Sequence, residues 1–214
     1  MRRFLILIGL FLIPVYFLVS ILFSLVLMPA QGFAATEEAF HTPEVALAYA
    51  AESPLRALDD LRDLILAAGL VIGGAALYDG DEENEGDRYL QRAALVIAGL
   101  GAALLTGSAV AGFTALPVLV DQYSQAGVVV EGAYLALTLI TGGMRWAGWI
   151  ALGVWAGLIS WAAQRTNRLP LIATILGIGL AAAGVLSLVL PDVAPVAIVV
   201  LGIIWPIWIG ISYP

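Results

Sequence analysis

The chain contains no cysteine. This excludes disulfides, thiolate nucleophiles, iron–sulfur clusters and cysteine-ligated metals. It contains no lysine either, because all nine basic residues are arginine. Schiff-base chemistry and a Walker-type phosphate loop are thereby excluded. His41 is the single histidine, so neither a histidine-cluster metal site nor a haem with two histidine ligands from this chain can form. Charge is also scarce. Only 12% of residues are charged, against about a quarter in a soluble domain. No charge falls between Arg3 and Glu37, Arg92 and Asp121, Arg145 and Arg165, Arg168 and Asp192, or after Asp192.

What fills those gaps is apolar. The 214 residues are 62% hydrophobic with a mean hydropathy of +1.00. A bilayer core of about 30 Å takes about 20 apolar residues in a helix rising about 1.5 Å each. The runs match that length, so the lipid bilayer is the expected surrounding. The fold class expected is all-α, a polytopic transmembrane helix bundle forming a single membrane domain over residues 1–214. The net charge of −7 and pI near 4.5 disfavour nucleic acid, which rewards basic patches.

Six spans are expected, over residues 4–27, 60–78, 90–116, 146–163, 171–190 and 196–212. The first follows Arg2 and Arg3 and contains Pro14. Gly32-Phe33-Ala34-Ala35 after it resembles a signal cleavage site. Its apolar core exceeds the roughly 7–15 residues of a signal peptide, which favours a retained span. Residues 29–54 form an acidic outer connection. Within it Thr42-Pro43-Glu44 marks a helix start, with Thr42 as cap and proline at the first helical position. Ser53-Pro54 repeats that signal.

The second span is uncharged only from Leu64 to Tyr78. Arg62 and Asp63 are therefore expected near or just inside the membrane boundary. Asp79 to Asp87 resembles a calcium loop but carries Asn84 and Leu90 where glycine and glutamate are needed, so it reads as a solvated acidic turn. Residues 128–140 are short for a span and contain Glu131; they read as an interfacial or re-entrant helix, with Gly142-Gly143 breaking or bending the chain after it. Trp146, Trp149 and Trp161 are expected as headgroup anchors and Trp155 as core. A cytoplasmic N-terminus with six spans places six arginines inside against Arg56, Arg62 and Arg145 outside, which satisfies the positive-inside rule. Gly69-x-x-x-Gly73 and Gly153-x-x-x-Gly157 are small-residue patterns that let helices approach closely.

Two polar constellations stand out. Glu131, Tyr134, Thr138, Thr141 and Arg145 share one helical stripe. Ionisable groups at membrane depth are candidate sites, although a polar face turned to water explains the stripe as well. Arg56, Asp59, Asp60, Arg62 and Asp63 form a candidate outer charged surface, or simply a helix start laced by Arg56–Asp60 and Asp59–Arg62 pairs. Such pairs contribute little when exposed. His41 beside Thr42-Pro43 reads as solvated.

Arg145-Trp146 entering a span, Arg165-x-x-Arg168-Leu169-Pro170, a Gly/Ala/Leu-rich penultimate helix and a tryptophan-bearing last helix resemble a family of small bacterial and archaeal membrane proteins. So do Ala48-Tyr49-Ala50-Ala51 and Leu55-Arg56. The family is catalogued as a domain of unknown function, number forty-three eighty-six, and the resemblance covers residues 45–210. It implies about six spans and transfers no activity. Leu169 meets Pro170 directly, one apolar residue short of the family pattern. The expectation is a multi-pass cell-membrane protein with no catalytic site, cofactor or metal. It is not an enzyme but an accessory or structural subunit partnered by other membrane subunits. The alternative is a transporter or channel for a small solute or ion.

Overall fold

A computed structural model describes residues 2–30, 42–53, 56–78, 85–166 and 168–212. His41, Pro54, the 32–35 cleavage-like motif and the acidic turn from Asp79 to Asn84 lie outside the described residues, as does the Arg56 side chain. The described residues are helical with no strand. Helix α1 (Arg2–Leu22) runs through Pro14 and continues into a π-helical turn, Phe23–Leu27. Helix α2 is Pro43–Glu52 and α3 is Arg56–Leu77. A helical run from Glu85 to Arg165 kinks at Ala126, where φ is −141° and ψ is 37°. The kink divides it into α4 (Arg88–Tyr123) and α5 (Gln125–Arg165). Helices α6 (Leu171–Leu186) and α7 (Ala194–Ser212) complete the chain.

Four segments are long and apolar enough to cross a membrane: Arg2–Leu27, Arg88–Tyr123, Gln125–Arg165 and Ala194–Ser212. Helix α3 misses that standard because its first two turns carry Asp59, Asp60, Arg62 and Asp63, and α6 because it has only 16 residues. By composition and length this is a membrane-embedded helical protein.

Neighbouring helices run antiparallel. At one end of the α1–α3 pair, Arg2 Nε donates to the Ala76 carbonyl at 3.0 Å, while Gly9 lies against Gly73 and Gly69 against Ile13 further along. Between α3 and α4, Gly74 faces Ala98 and Asp60 faces Gly112. Between α4 and α5, Gly101 faces Ala151 and Ser108 meets the Thr141 carbonyl. Both small-residue patterns lie at contacts. A Cβ on Gly9 would strike the Gly73 backbone, and one on Gly69 would sit 3.2 Å from the Gly9 carbonyl oxygen. A Cβ on Gly153 would sit 2.6 Å from the Leu180 carbonyl oxygen. Backbone contact at these positions supplies dispersion energy that lipid cannot match. Ten residues beyond Arg145 in α5, Trp155 is fully buried and meets Trp205 edge-on at 5.4 Å, and Trp205 Nε1 donates to Ser160 at 2.8 Å.

The structure departs from the sequence reading at three helix boundaries. Helix α4 does not end near Pro117 but continues to Tyr123. Proline removes one intrahelical bond, yet Leu116, Leu119, Val120 and Tyr123 pack against Ala46 and Leu47 of α2 and Val130 and Tyr134 of α5, and that packing carries the helix past it. Residues 128–140 are not a separate re-entrant piece, because α5 passes unbroken through Gly142-Gly143. Two helical glycines cost about 1 kcal/mol each, less than the contacts fixed on either side. Helix α6 stops at Leu186 rather than Leu190; Ser187 Oγ donates to the Gly184 carbonyl at 2.6 Å and turns follow.

Helices α4 and α5 are longer than a bilayer is thick. Arg145 and Arg165 are twenty residues apart in α5, about 30 Å, which matches the hydrocarbon core. The α4–α5 hairpin tip therefore extends beyond the level of Arg145, and α2 packs on it.

Candidate functional site: a charge cluster under an aromatic cavity

The start of α3 sets the site. Asp59, Asp60, Arg62 and Asp63 fall within just over one helical turn, so their side chains fan across the space between α1, α4 and α5. Asp63 points inward and its side chain has 0% exposure. It is held by the arginine of the other constellation: Arg145 Nε donates to Asp63 Oδ1 at 3.1 Å and to Oδ2 at 2.9 Å. Ser108 Oγ lies 3.1 Å from Asp63 Oδ2 and 3.3 Å from the Thr141 carbonyl. Its single proton serves one or the other. Arg145 also reaches Asp59 Oδ2 with a terminal nitrogen at 3.4 Å, and Asp59 pairs with Arg62 on its own helix. The Arg62 guanidinium lies over the Phe23 ring, 5.9 Å from its centroid.

Asp60 differs from its neighbours. Among the described residues no hydrogen bond or ion pair reaches its carboxylate, which packs against Gly112 of α4. Among the described side chains the cluster holds three carboxylates (Asp59, Asp60, Asp63) and two guanidinium groups (Arg62, Arg145), and −3 plus +2 leaves −1. Taking such charges out of water is costly unless they are paired and hydrogen-bonded. Four of the five are paired.

Above the cluster lies a cavity of about 710 Å³. Asp59, Asp60, Arg62 and Arg145 line it, with Phe17, Tyr49, Tyr134, Trp146 and Trp149 as aromatic walls. Its rim includes Leu25 and Pro191, both exposed, while Asp63 is sealed behind Arg145. Helix α2 contributes Ala46, Tyr49 and Ala50, and burial pushes the Tyr49 phenol above its ordinary titration range. Trp149 Nε1 donates to Tyr16 Oη at 2.8 Å, and Trp146 and Trp149 lie 5.5 Å apart between ring centroids.

The two constellations read from sequence are thus partly one site. The structure joins Arg145 to Asp59 and Asp63 and adds Tyr134 to the cavity wall. It separates the rest of the stripe. Glu131 is fourteen residues from Arg145, about 21 Å along the helix, and accepts from Tyr123 Oη at 3.3 Å across the hairpin. Thr138 and Thr141 donate to the Tyr134 and Leu137 carbonyls of their own helix at 3.0 and 2.9 Å. The Asp59–Arg62 pair forms as read, but it sits in the cavity wall rather than on an open surface. Arg56 and its Asp60 pairing lie outside the described side chains. Trp146 and Trp149 turn into the cavity, so of the three expected headgroup anchors only Trp161 is strongly exposed, at 51%. Thr42 precedes α2 in an extended conformation but makes no side-chain cap bond.

Ser108 was missed by sequence reasoning. A hydroxyl in an apolar span, one of three with Thr106 and Thr114, was the only signal, and hydroxyls in such spans usually bond their own helix. Among the described residues there is no group of three or more His, Asp or Glu able to hold a metal ion.

The helices and the cluster define a membrane-embedded α-helical protein with a charged, aromatic cavity at one end of its bundle. No family model, no curated protein and no solved structure matches the chain.

Proposed function

We propose that the protein binds a small solute in the cavity over Asp59, Asp60, Arg62 and Arg145, as a transporter or channel does. The observation that supports this most is the coincidence of volume and charge. A cavity of about 710 Å³ has the size of a small-molecule site, and its floor is a buried ionic cluster near the membrane boundary, where taking charge out of water is expensive. No covalent chemistry is assigned to it. We read six spans, α1 and α3 to α7, and the antiparallel order of the helices supports this count. A cytoplasmic N-terminus is the orientation we propose with them; the recess shared by Leu77, Gln91, Thr166 and Arg168 at the Arg2 end supports it, because it brings Arg168 to the side of Arg2. The cell membrane is the location this orientation suits.

Uptake into sealed vesicles tests the reading. Purified protein is reconstituted and offered a panel of radiolabelled cationic, neutral and anionic small solutes. At least one solute enters faster than in protein-free vesicles, and Trp149→Ala slows it. If every solute enters at the protein-free rate, the reading is wrong.

A second reading, as an accessory subunit, is favoured by a different observation. Val128, Val129 and Leu139 are 82%, 75% and 77% exposed on the part of α5 that extends past Arg145. Large apolar side chains outside the hydrocarbon core suit a protein partner. Gentle detergent extraction followed by mass analysis supports this reading if a stoichiometric membrane subunit co-purifies, and a clean monomer counts against it.

A further inference from the structure

The cavity's charge and lining specify what it takes. We propose that the cavity binds an organic monocation, an ammonium group carrying an apolar body, with Asp60 as its counter-charge. This rests on the cavity being a solute site and adds the chemical class.

Three observations carry it. First, among the described side chains the charges around the floor do not balance. Arg145 faces Asp63 and Asp59, and Arg62 faces Asp59, which leaves Asp60 as the excess carboxylate. Second, Asp60 lines the cavity, and Gly112 makes the room for its carboxylate, because a Cβ at that position would strike it. Third, the walls beside it are aromatic: Phe17, Tyr49, Tyr134, Trp146 and Trp149. Aromatic faces attract ammonium groups and accept the apolar body of the same ligand, the chemistry by which aromatic cages hold quaternary ammonium ions. An anion would meet guanidinium groups that already face Asp59 and Asp63, and would lie beside the like charge of Asp60. A neutral solute would leave the Asp60 charge unanswered.

The probe is benzyltrimethylammonium, and its neutral isostere neopentylbenzene and the anion benzenesulfonate are the controls. Calorimetry uses the full chain in phosphatidylcholine nanodiscs. Benzyltrimethylammonium binds saturably and at least about ten-fold more tightly than either control, and Asp60→Asn removes about ten-fold of that preference while leaving neopentylbenzene unchanged. If the Asp60→Asn protein is not recovered folded, the charge series on the unaltered chain decides alone. Benzenesulfonate or neopentylbenzene binding as tightly as the cation, or a preference that Asp60→Asn does not touch, overturns the assignment but leaves the cavity a solute site. If no probe of any charge binds, the solute-site reading falls with it.

Discussion

Replacing Arg145 with methionine keeps the length and apolar stem of the side chain and removes its charge. Asp63 then loses both Arg145 contacts and keeps only the shared Ser108 hydroxyl, and Asp59 loses its 3.4 Å contact. Three carboxylates face one guanidinium, so the cluster moves from −1 to −2. At an effective dielectric near 20 and a charge separation of about 4 Å, each full pairing is worth about 4 kcal/mol. Removing one partner of a buried pair typically costs about 3–5 kcal/mol. Asp63→Asn is the milder change, because the amide oxygen still accepts from Arg145 and the remaining two carboxylates balance two guanidinium groups. It should cost about 1–3 kcal/mol. The double variant should be more stable than the sum of the two losses by about 1–3 kcal/mol, the coupling expected of directly bonded groups. Unfolding in mixed micelles by titrated dodecyl sulfate, followed by tryptophan fluorescence, measures all four corners. Losses that simply add, or Arg145→Met within about 0.5 kcal/mol of the parent, would refute the argument that this pair holds the site together.

Other outcomes follow from the same contacts. Gly9→Val forces side-chain atoms into the Gly73 backbone, so it should separate α1 from α3 and cost about 1–3 kcal/mol or more in the same assay. Thr42→Ala should cost less than the roughly 0.5–2 kcal/mol of a lost helix cap, because Thr42 makes no side-chain cap bond; circular dichroism and the unfolding midpoint should both stay at the parent value. Glu131→Gln should leave solute uptake unchanged, since Glu131 bonds Tyr123 on the hairpin and not the cluster; loss of uptake would return Glu131 to the site.

The membrane character of this chain was legible because lipid imposes a coarse demand, long uncharged runs, that composition alone meets. Close helix contacts were also readable, since glycines four apart make one small face; Gly69 and Gly73 meet α1, and Gly153 and Gly157 meet α6. Helix ends were less readable. Pro117 and Gly142-Gly143 are local stop signals, and contacts from α2 and α3 outweigh them. The site was half legible. Each helix declared its own charges, and periodicity grouped Arg145 with Glu131 because both lie on one stripe. Its true partners lie eighty or more residues away on α3. No spacing rule reaches across that distance, and the same limit hid Ser108, whose neighbours in sequence are apolar or small.

On this reading, water and solutes reach an ionic cluster inside the bundle. The chain's lack of cysteine makes a direct measurement possible. Ser24 lines the cavity, whereas Val71 is 52% exposed on the outer face of α3 toward lipid. Single variants Ser24→Cys and Val71→Cys are placed in sealed vesicles and treated with a membrane-impermeant methanethiosulfonate. Ser24→Cys should be modified rapidly from one side of the membrane, more slowly with benzyltrimethylammonium present, and Val71→Cys not at all. Equal inertness of the two variants would contradict this reading.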